Sequence, residues 1–195
     1  MRTWAFATAA AAIGIMAGGA PASASLIGQS FTVSYRFDNL ATVYPSATPP
    51  TLFTVGGGQD AAVDVEGVTD LLIDFSSGSL VVDMQTILSN PTWNAAAFNG
   101  LLFAGTGPHG ILTATVNGTT TMGGFDNGRV TFTGNDIMLD WNGLGYVDGT
   151  KVVIDFAFAP APVPEPATLA LLGAGLVGLA AARRRLVDGS PRGGG

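Results

Sequence analysis

The sequence predicts an all-β fold, namely an antiparallel β-sandwich with a jelly-roll-like arrangement. Apolar and polar side chains alternate in short segments such as residues 31–37 and 152–158, and a period of two is typical of strands with one buried face. Turn dipeptides such as Asn117-Gly118 and Asp148-Gly149 separate these segments. The centre of the chain lacks a convincing helical stripe, so we expect about nine or ten short strands.

Each predicted strand is a short alternating segment bounded by turn residues. The alternating segments are residues 31–37, 63–66, 71–75, 130–133 and 152–158. The turn signals are residues 56–58 and 76–78, Asn99-Gly100, Asn117-Gly118, Asn127-Gly128, Asn142-Gly143 and Asp148-Gly149. Together they predict one β-sandwich domain over residues 25–159.

The amino-terminal residues 1–24 are predicted to be a secretory signal peptide. Arg2 precedes an apolar stretch, and Ala22 and Ala24 form a small-residue A-x-A cleavage pattern. We expect cleavage after Ala24, with cleavage after Ala22 as the alternative. The partners that follow from this interpretation are the Sec translocon and signal peptidase.

The carboxyl-terminal part combines an acidic tripeptide, an apolar segment and a basic end. Pro164, Glu165 and Pro166 end a proline-rich linker, residues 160–166, and the uncharged residues 167–182 follow. As a helix these 16 residues would extend roughly 24 Å, slightly less than a bilayer core. We therefore predict a single transmembrane helix.

A basic cluster fixes the predicted orientation of that helix. Arg183, Arg184 and Arg185 open the tail formed by residues 183–195. By the positive-inside rule they act as a stop-transfer signal and keep this tail cytoplasmic, so the residues before the helix lie outside.

This composite pattern resembles the PEP-CTERM sorting signal of bacterial surface proteins, a motif also catalogued under ice-binding proteins. The resemblance implies processing by an exosortase-type transpeptidase near Pro164–Pro166. It also implies a transient inner-membrane anchor, followed by a cell-surface or extracellular location. Residues 98–158 are similar to the β-rich bodies of such proteins, which implies a secreted domain and no particular activity.

The composition of the predicted body excludes several functions. Residues 25–159 contain three basic and twelve acidic side chains, a net charge of minus nine. Such a surface repels nucleic acid, so we expect no nucleic-acid partner. The chain has no cysteine, which excludes disulfides, a thiolate nucleophile and thiolate zinc sites.

The sequence favours a non-enzymatic body. His109 is the only histidine, and no nucleophile elbow of the G-x-S-x-G type occurs. We predict that His109 is a loop residue without a catalytic role. The many carboxylates leave a glycosidase-like hydrolase open as an alternative, because that chemistry needs only two of them about 5–9 Å apart.

Acidic residues also raise the question of a metal. Asp60, Asp64, Glu66 and Asp126 offer the oxygen ligands that Ca²⁺ prefers, but their spacing does not match a calcium loop. We predict that the protein needs no cofactor, and a loop calcium site remains the alternative.

Two tryptophans decide between the remaining functions. Trp141 follows Ile137 and Leu139 on one strand face, which predicts core packing. Trp93 lies in a polar loop, residues 90–94, and is either a core residue or an exposed ring that stacks on a sugar. We predict a structural or adhesive surface or extracellular-matrix protein, with a carbohydrate-binding module for exopolysaccharide as the alternative.

Overall fold

The structure is a computed structural model that describes residues 25–158, 172–179 and Arg183. The predicted signal peptide with Ala22 and Ala24, the linker with Pro164, Glu165 and Pro166, and Arg184 and Arg185 lie outside the described residues. Residues 172–179, in the predicted transmembrane segment, are helical. Within the described part of the chain, no helix has both the length and the apolar character that a membrane crossing requires.

The body consists of ten strands and one 3₁₀ turn, Asn127–Arg129. The strands are β1 Ser30–Phe37, β2 Thr51–Thr54, β3 Ala61–Val65, β4 Thr69–Phe75, β5 Ser79–Thr86, β6 Asn99–Gly105, β7 Ile111–Val116, β8 Val130–Phe132, β9 Asp136–Asp140 and β10 Thr150–Phe158. All five strand segments predicted from alternation are confirmed.

The strands form two antiparallel five-stranded sheets. Their orders are β2-β1-β6-β9-β8 and β3-β4-β5-β10-β7. This architecture confirms the predicted β-sandwich. The jelly-roll-like arrangement stays a prediction.

Aromatic rings join the two sheets in the middle of the sandwich. Phe31 of β1 stacks on Phe75 of β4 with ring centroids 5.3 Å apart, and Phe75 meets Phe103 of β6 edge to face at 5.2 Å. These side chains are fully or almost fully buried. Such contacts contribute about 0.5–1.5 kcal/mol each beyond the burial of apolar area, so they hold the sheets in one relative position.

The Asn99-Gly100 pair corrects one turn prediction, because both residues lie inside β6. A Cβ at Gly100 would lie 1.8 Å from the carbonyl oxygen of Leu139 on the neighbouring strand β9. The glycine is there to allow this close approach of two strands. Asn99 is 2% exposed and uses its polar groups inside the fold.

The sandwich has two distinct ends, which we call the terminal end and the loop end. At the terminal end, the amide of Leu26 donates to Ser77 O (3.1 Å), and the amide of Phe156, near the end of β10, donates to Gly78 O (2.8 Å). Both ends of the body therefore lie there. The loop end, roughly 26 Å away along β10, carries the connections 38–50, 66–68, 87–98 and 141–149.

The packing at Gly100 predicts a large effect of one added methyl group. Gly100→Ala should lower the free energy of unfolding by about 2–3 kcal/mol, because β6 and β9 must separate. Gly118→Ala is the matched control, since a Cβ there meets nothing within 4 Å. Urea denaturation of both variants measures the difference, and equal stabilities would contradict the assigned strand contact.

Candidate functional site

A cleft of about 230 Å³ opens at the loop end of the sandwich. Strand ends and all four loop-end connections supply its walls. Its aromatic lining residues are Tyr35, Phe37, Tyr44, Trp93 and Tyr146, and its polar ones are Glu66, Thr69, Thr92, Asn94 and Asn99. Aromatic walls with a few polar groups are typical of small-molecule sites.

Backbone hydrogen bonds join two loops at the floor of this cleft. The amide of Trp93 donates to Leu144 O (2.9 Å), the amide of Gly143 to Trp93 O (2.9 Å), and the amide of Tyr146 to Pro91 O (3.0 Å). This pairing stacks the rings of Trp93 and Tyr146 at 4.4 Å with an interplanar angle of 9°. The loop backbone thereby fixes both rings.

A buried hydrogen-bond network lies behind the floor and centres on Tyr35 of β1. The indole N–H of Trp141 donates to the Tyr35 hydroxyl (3.2 Å), which donates to Asn99 Oδ1 (2.5 Å). Asn99 Nδ2 donates to Asn94 O (2.8 Å) in the cleft loop. Burial raises the pKa of Tyr35 far above its usual value, so this hydroxyl stays protonated and remains a donor.

The exposed-ring interpretation of Trp93 is wrong. Its side chain is 7% exposed and belongs to the core cluster, with Tyr146 covering one face and the Tyr35 ring centred 5.6 Å away. Trp141 is fully buried, which confirms its predicted core position. Trp93 nevertheless lines the cleft, and its buried indole N–H has no acceptor in the described residues.

The rim of the cleft carries a hydrogen-bonded pair, Tyr44 and Glu66. The Tyr44 hydroxyl donates to Glu66 Oε1, and this bond raises the pKa of Tyr44. Glu66 has a φ of 61° and Gly67 a φ of 69°, so the tight β3–β4 turn presents the carboxylate. Tyr44 is half-buried and Glu66 is exposed, which leaves both available to a ligand.

The four candidate calcium ligands do not form a metal cluster in the described residues. Asp60 accepts the amides of Gly56 and Phe75 at 2.8 Å each, at the terminal end. The other three carboxylates accept hydrogen bonds from groups close to them. Asp64 accepts from the Gly67 amide, Glu66 from the Tyr44 hydroxyl, and Asp126 from the Gly128 amide. In residues 25–158, as in the rest of the described chain, no three acidic or histidine side chains cluster as a metal site would require.

His109 lies at the terminal end, remote from the cleft in the fold. It is 2% exposed, and its Nδ1 accepts the amide of Ile111 (3.0 Å). Its Nε2 is buried without a hydrogen-bond partner among the described residues. Burial lowers the pKa of this imidazole, although the nearby Asp136 opposes the shift. The imidazole is therefore neutral at neutral pH.

Sequence reasoning singled out Trp93 and, as a possible metal ligand, Glu66, but it missed the other aromatic residues of the cleft. The missing residues are Tyr35, Phe37, Tyr44 and Tyr146, and among them are all three tyrosines of the chain. Tyr44 and Tyr146 lie in loops, which is a weak signal that could have been used. Only the pairing of the strands shows that these loops share one end of the sandwich.

Comparison with known proteins identifies the carboxyl-terminal part. A family model described as the PEP-CTERM protein-sorting motif matches residues 162–185. This confirms the predicted sorting signal, and the matched span contains Pro164–Pro166 and Arg183–Arg185. Searches of curated proteins and of solved structures give no match.

The Tyr35 network predicts that one hydroxyl has a large effect on stability. Tyr35→Phe should lower the free energy of unfolding by about 2–3 kcal/mol, because Asn99 Oδ1 and the Trp141 N–H both lose their buried partner. Tyr44→Phe removes a hydroxyl at the half-exposed rim and should cost less than about 0.5 kcal/mol. Urea denaturation compares the two, and a small loss for Tyr35→Phe would show that the network is not stabilising.

His109 predicts a pH dependence of stability. Its pKa is lower in the folded than in the unfolded protein, so the unfolded state binds the proton more readily. Stability from this group is complete above about pH 6.5 and is lost as the pH falls from there through the lower pKa of the folded state. His109→Asn keeps an acceptor for the Ile111 amide but does not titrate.

The variant should therefore lose less stability than the native protein between about pH 8 and pH 5. Denaturant titrations at several pH values measure this difference. Both proteins contain the same carboxylates, so the effect of carboxylate titration cancels when the two profiles are subtracted. Parallel pH profiles for the two proteins would contradict a depressed imidazole pKa.

Proposed function

We propose that this chain is a protein of the bacterial cell surface or extracellular matrix whose body has a structural or adhesive role. The observation that carries the proposal is the PEP-CTERM protein-sorting motif at residues 162–185. That motif indicates an exported protein that an exosortase-type enzyme sorts and processes. The role of the body is the part that we add.

The proposed sequence of events follows the order of the chain. The signal peptide leads the protein through the Sec translocon, and signal peptidase cuts after Ala24 or Ala22. Residues 167–182 then hold the protein in the inner membrane, with Arg183, Arg184 and Arg185 on the cytoplasmic side. The exosortase-type enzyme acts near Pro164–Pro166 and releases or transfers the body.

The body supports a structural or adhesive role through its closed core and its charge. Two five-stranded sheets bury one continuous cluster of apolar side chains without any disulfide. The net charge of minus nine keeps such a domain soluble at high local concentration. Its acids Asp60, Asp64 and Asp126 stabilise turns through backbone amides.

A carbohydrate-binding module for exopolysaccharide is the second candidate, and the aromatic cleft favours it. Five aromatic residues and several amide and hydroxyl groups line that cleft. Rings that pack on sugar faces and amides that bond hydroxyls are a general solution to sugar recognition.

A glycosidase-like hydrolase has less support. Its chemistry requires two carboxylates about 5–9 Å apart across a bound sugar. Of the described residues that line the cleft, Glu66 is the one acid. We therefore keep the proposal that the body is not an enzyme.

The mass of the exported protein tests the sorting proposal. In the native organism the intact mass should correspond to a chain that begins at Ser25 or Ser23 and ends near Pro166. Glu165→Ala should leave the full tail attached and the protein in the membrane fraction. Arg192→Ala is the control, because Arg192 lies beyond the matched residues 162–185 and should not affect processing.

Mass spectrometry of the membrane and extracellular fractions reads out both variants. An extracellular native protein that still carries residues 167–195 would contradict processing at the motif. Normal processing of the Glu165→Ala variant would show that the processing enzyme does not need this glutamate.

A further inference from the structure

We propose that the cleft at the loop end binds a single neutral sugar unit, such as one residue of a neutral exopolysaccharide. The proposal rests on the proposed surface function, because it specifies the ligand class that an adhesive body would hold. The site comprises the residues that line the cleft and not Trp93 alone.

The size of the cleft limits the ligand. Its volume of about 230 Å³ lies below the ~300–1,000 Å³ that is typical of pockets for drug-sized molecules. A single pyranose ring is a small ligand of suitable size, whereas an oligosaccharide would have to extend over the rim. The site therefore holds one unit of a longer chain.

Two rings at the mouth of the cleft are partly exposed. Phe37 and Tyr44 are half-buried, with ring centroids 5.4 Å apart and an interplanar angle of 68°. The two rings thus form a corner, and the C–H face of a pyranose packs well on such apolar surfaces. Trp93 and Tyr146 are buried and give the cleft a fixed aromatic floor.

Unused polar groups also surround the cleft. The indole N–H of Trp93 is buried without an acceptor in the described part of the chain, and a buried unpaired donor is costly. The nitrogen is closed to solvent in this structure, so a sugar hydroxyl supplies that acceptor only once the loop that carries Trp93 shifts. Thr92 and Asn94 flank Trp93, line the same cleft and are exposed, so they offer further hydrogen bonds to hydroxyls.

The charges around the cleft exclude acidic sugars. Glu66 lies on the rim, and the body carries a net charge of minus nine. A uronic acid would be repelled by both. A quaternary ammonium ion is the competing ligand, because aromatic rings beside a carboxylate attract such cations.

The Trp93 N–H discriminates between the neutral sugar and the cation. It is a donor and needs an acceptor, which a sugar provides and a quaternary ammonium group lacks. This unpaired donor favours the neutral sugar.

Nuclear magnetic resonance of the exported protein provides the test. The two indole N–H signals of the body come from Trp93 and Trp141. Methyl glycosides of glucose, galactose and mannose are titrated separately, with glucuronic acid and choline chloride as competing probes. We expect saturable movement of the Trp93 signal with at least one neutral glycoside, and a much smaller shift for Trp141, whose N–H is already bonded to Tyr35.

Three variants locate the site. Tyr44→Ala removes a half-exposed ring at the mouth and should weaken sugar binding about ten-fold, and its melting temperature is measured alongside. Trp93→Phe keeps an aromatic ring but lacks the N–H, and should weaken binding to a similar extent. Leu52→Ala is the control, because Leu52 is 64% exposed on β2 and lies outside the cleft.

The possible outcomes separate this proposal from the proposed function. No Trp93 shift at about 50 mM of any neutral glycoside, where a millimolar site would be filled, would overturn the sugar site. Saturation by choline or glucuronic acid alone would also overturn it. Either result leaves the mass test of sorting untouched, and a failed mass test leaves sugar binding measurable.

Discussion

The hydroxyl group of Tyr35 is the point on which the loop end of this sandwich depends. It accepts a hydrogen bond from Trp141 and donates one to Asn99, so it ties strand β1 to strand β6 and to the connection 141–149. Asn99 in turn holds the Asn94 carbonyl of the loop that carries Trp93. A buried polar network of this kind is favourable only when each member is satisfied. The aromatic floor of the cleft is thus positioned by a buried hydrogen-bond network.

The strands could be predicted from the sequence far better than the cleft. Alternation in residues 31–37 and 152–158 reports directly which face of a strand is buried, and β1 and β10 follow it. The Asn99-Gly100 pair was wrongly predicted as a turn, because the same dipeptide suits a tight turn and a crowded strand pair. The structure distinguishes them, since a Cβ added at Gly100 would lie 1.8 Å from Leu139 O. The cleft depends on which loops share one end, and that is a property of the strand order.

The acidic residues show that metal binding is equally hard to predict from the sequence. Asp60, Asp64 and Asp126 belong to residue types that bind calcium, but each accepts a nearby backbone amide in the structure. Local turn stabilisation uses the same carboxylate oxygens as metal binding. Composition alone cannot separate these uses, whereas the hydrogen-bond partners can.

The position of β10 has a mechanical consequence. The strand lies between β5 and β7, begins at the loop end and finishes at the terminal end, where the body continues into its carboxyl-terminal segment. A load held in the cleft and resisted at residue 158 would pull along the strand direction, perpendicular to the interstrand hydrogen bonds. All bonds of β10 would then bear the tension together in shear instead of opening one by one. The fold is therefore arranged to resist being pulled apart lengthwise.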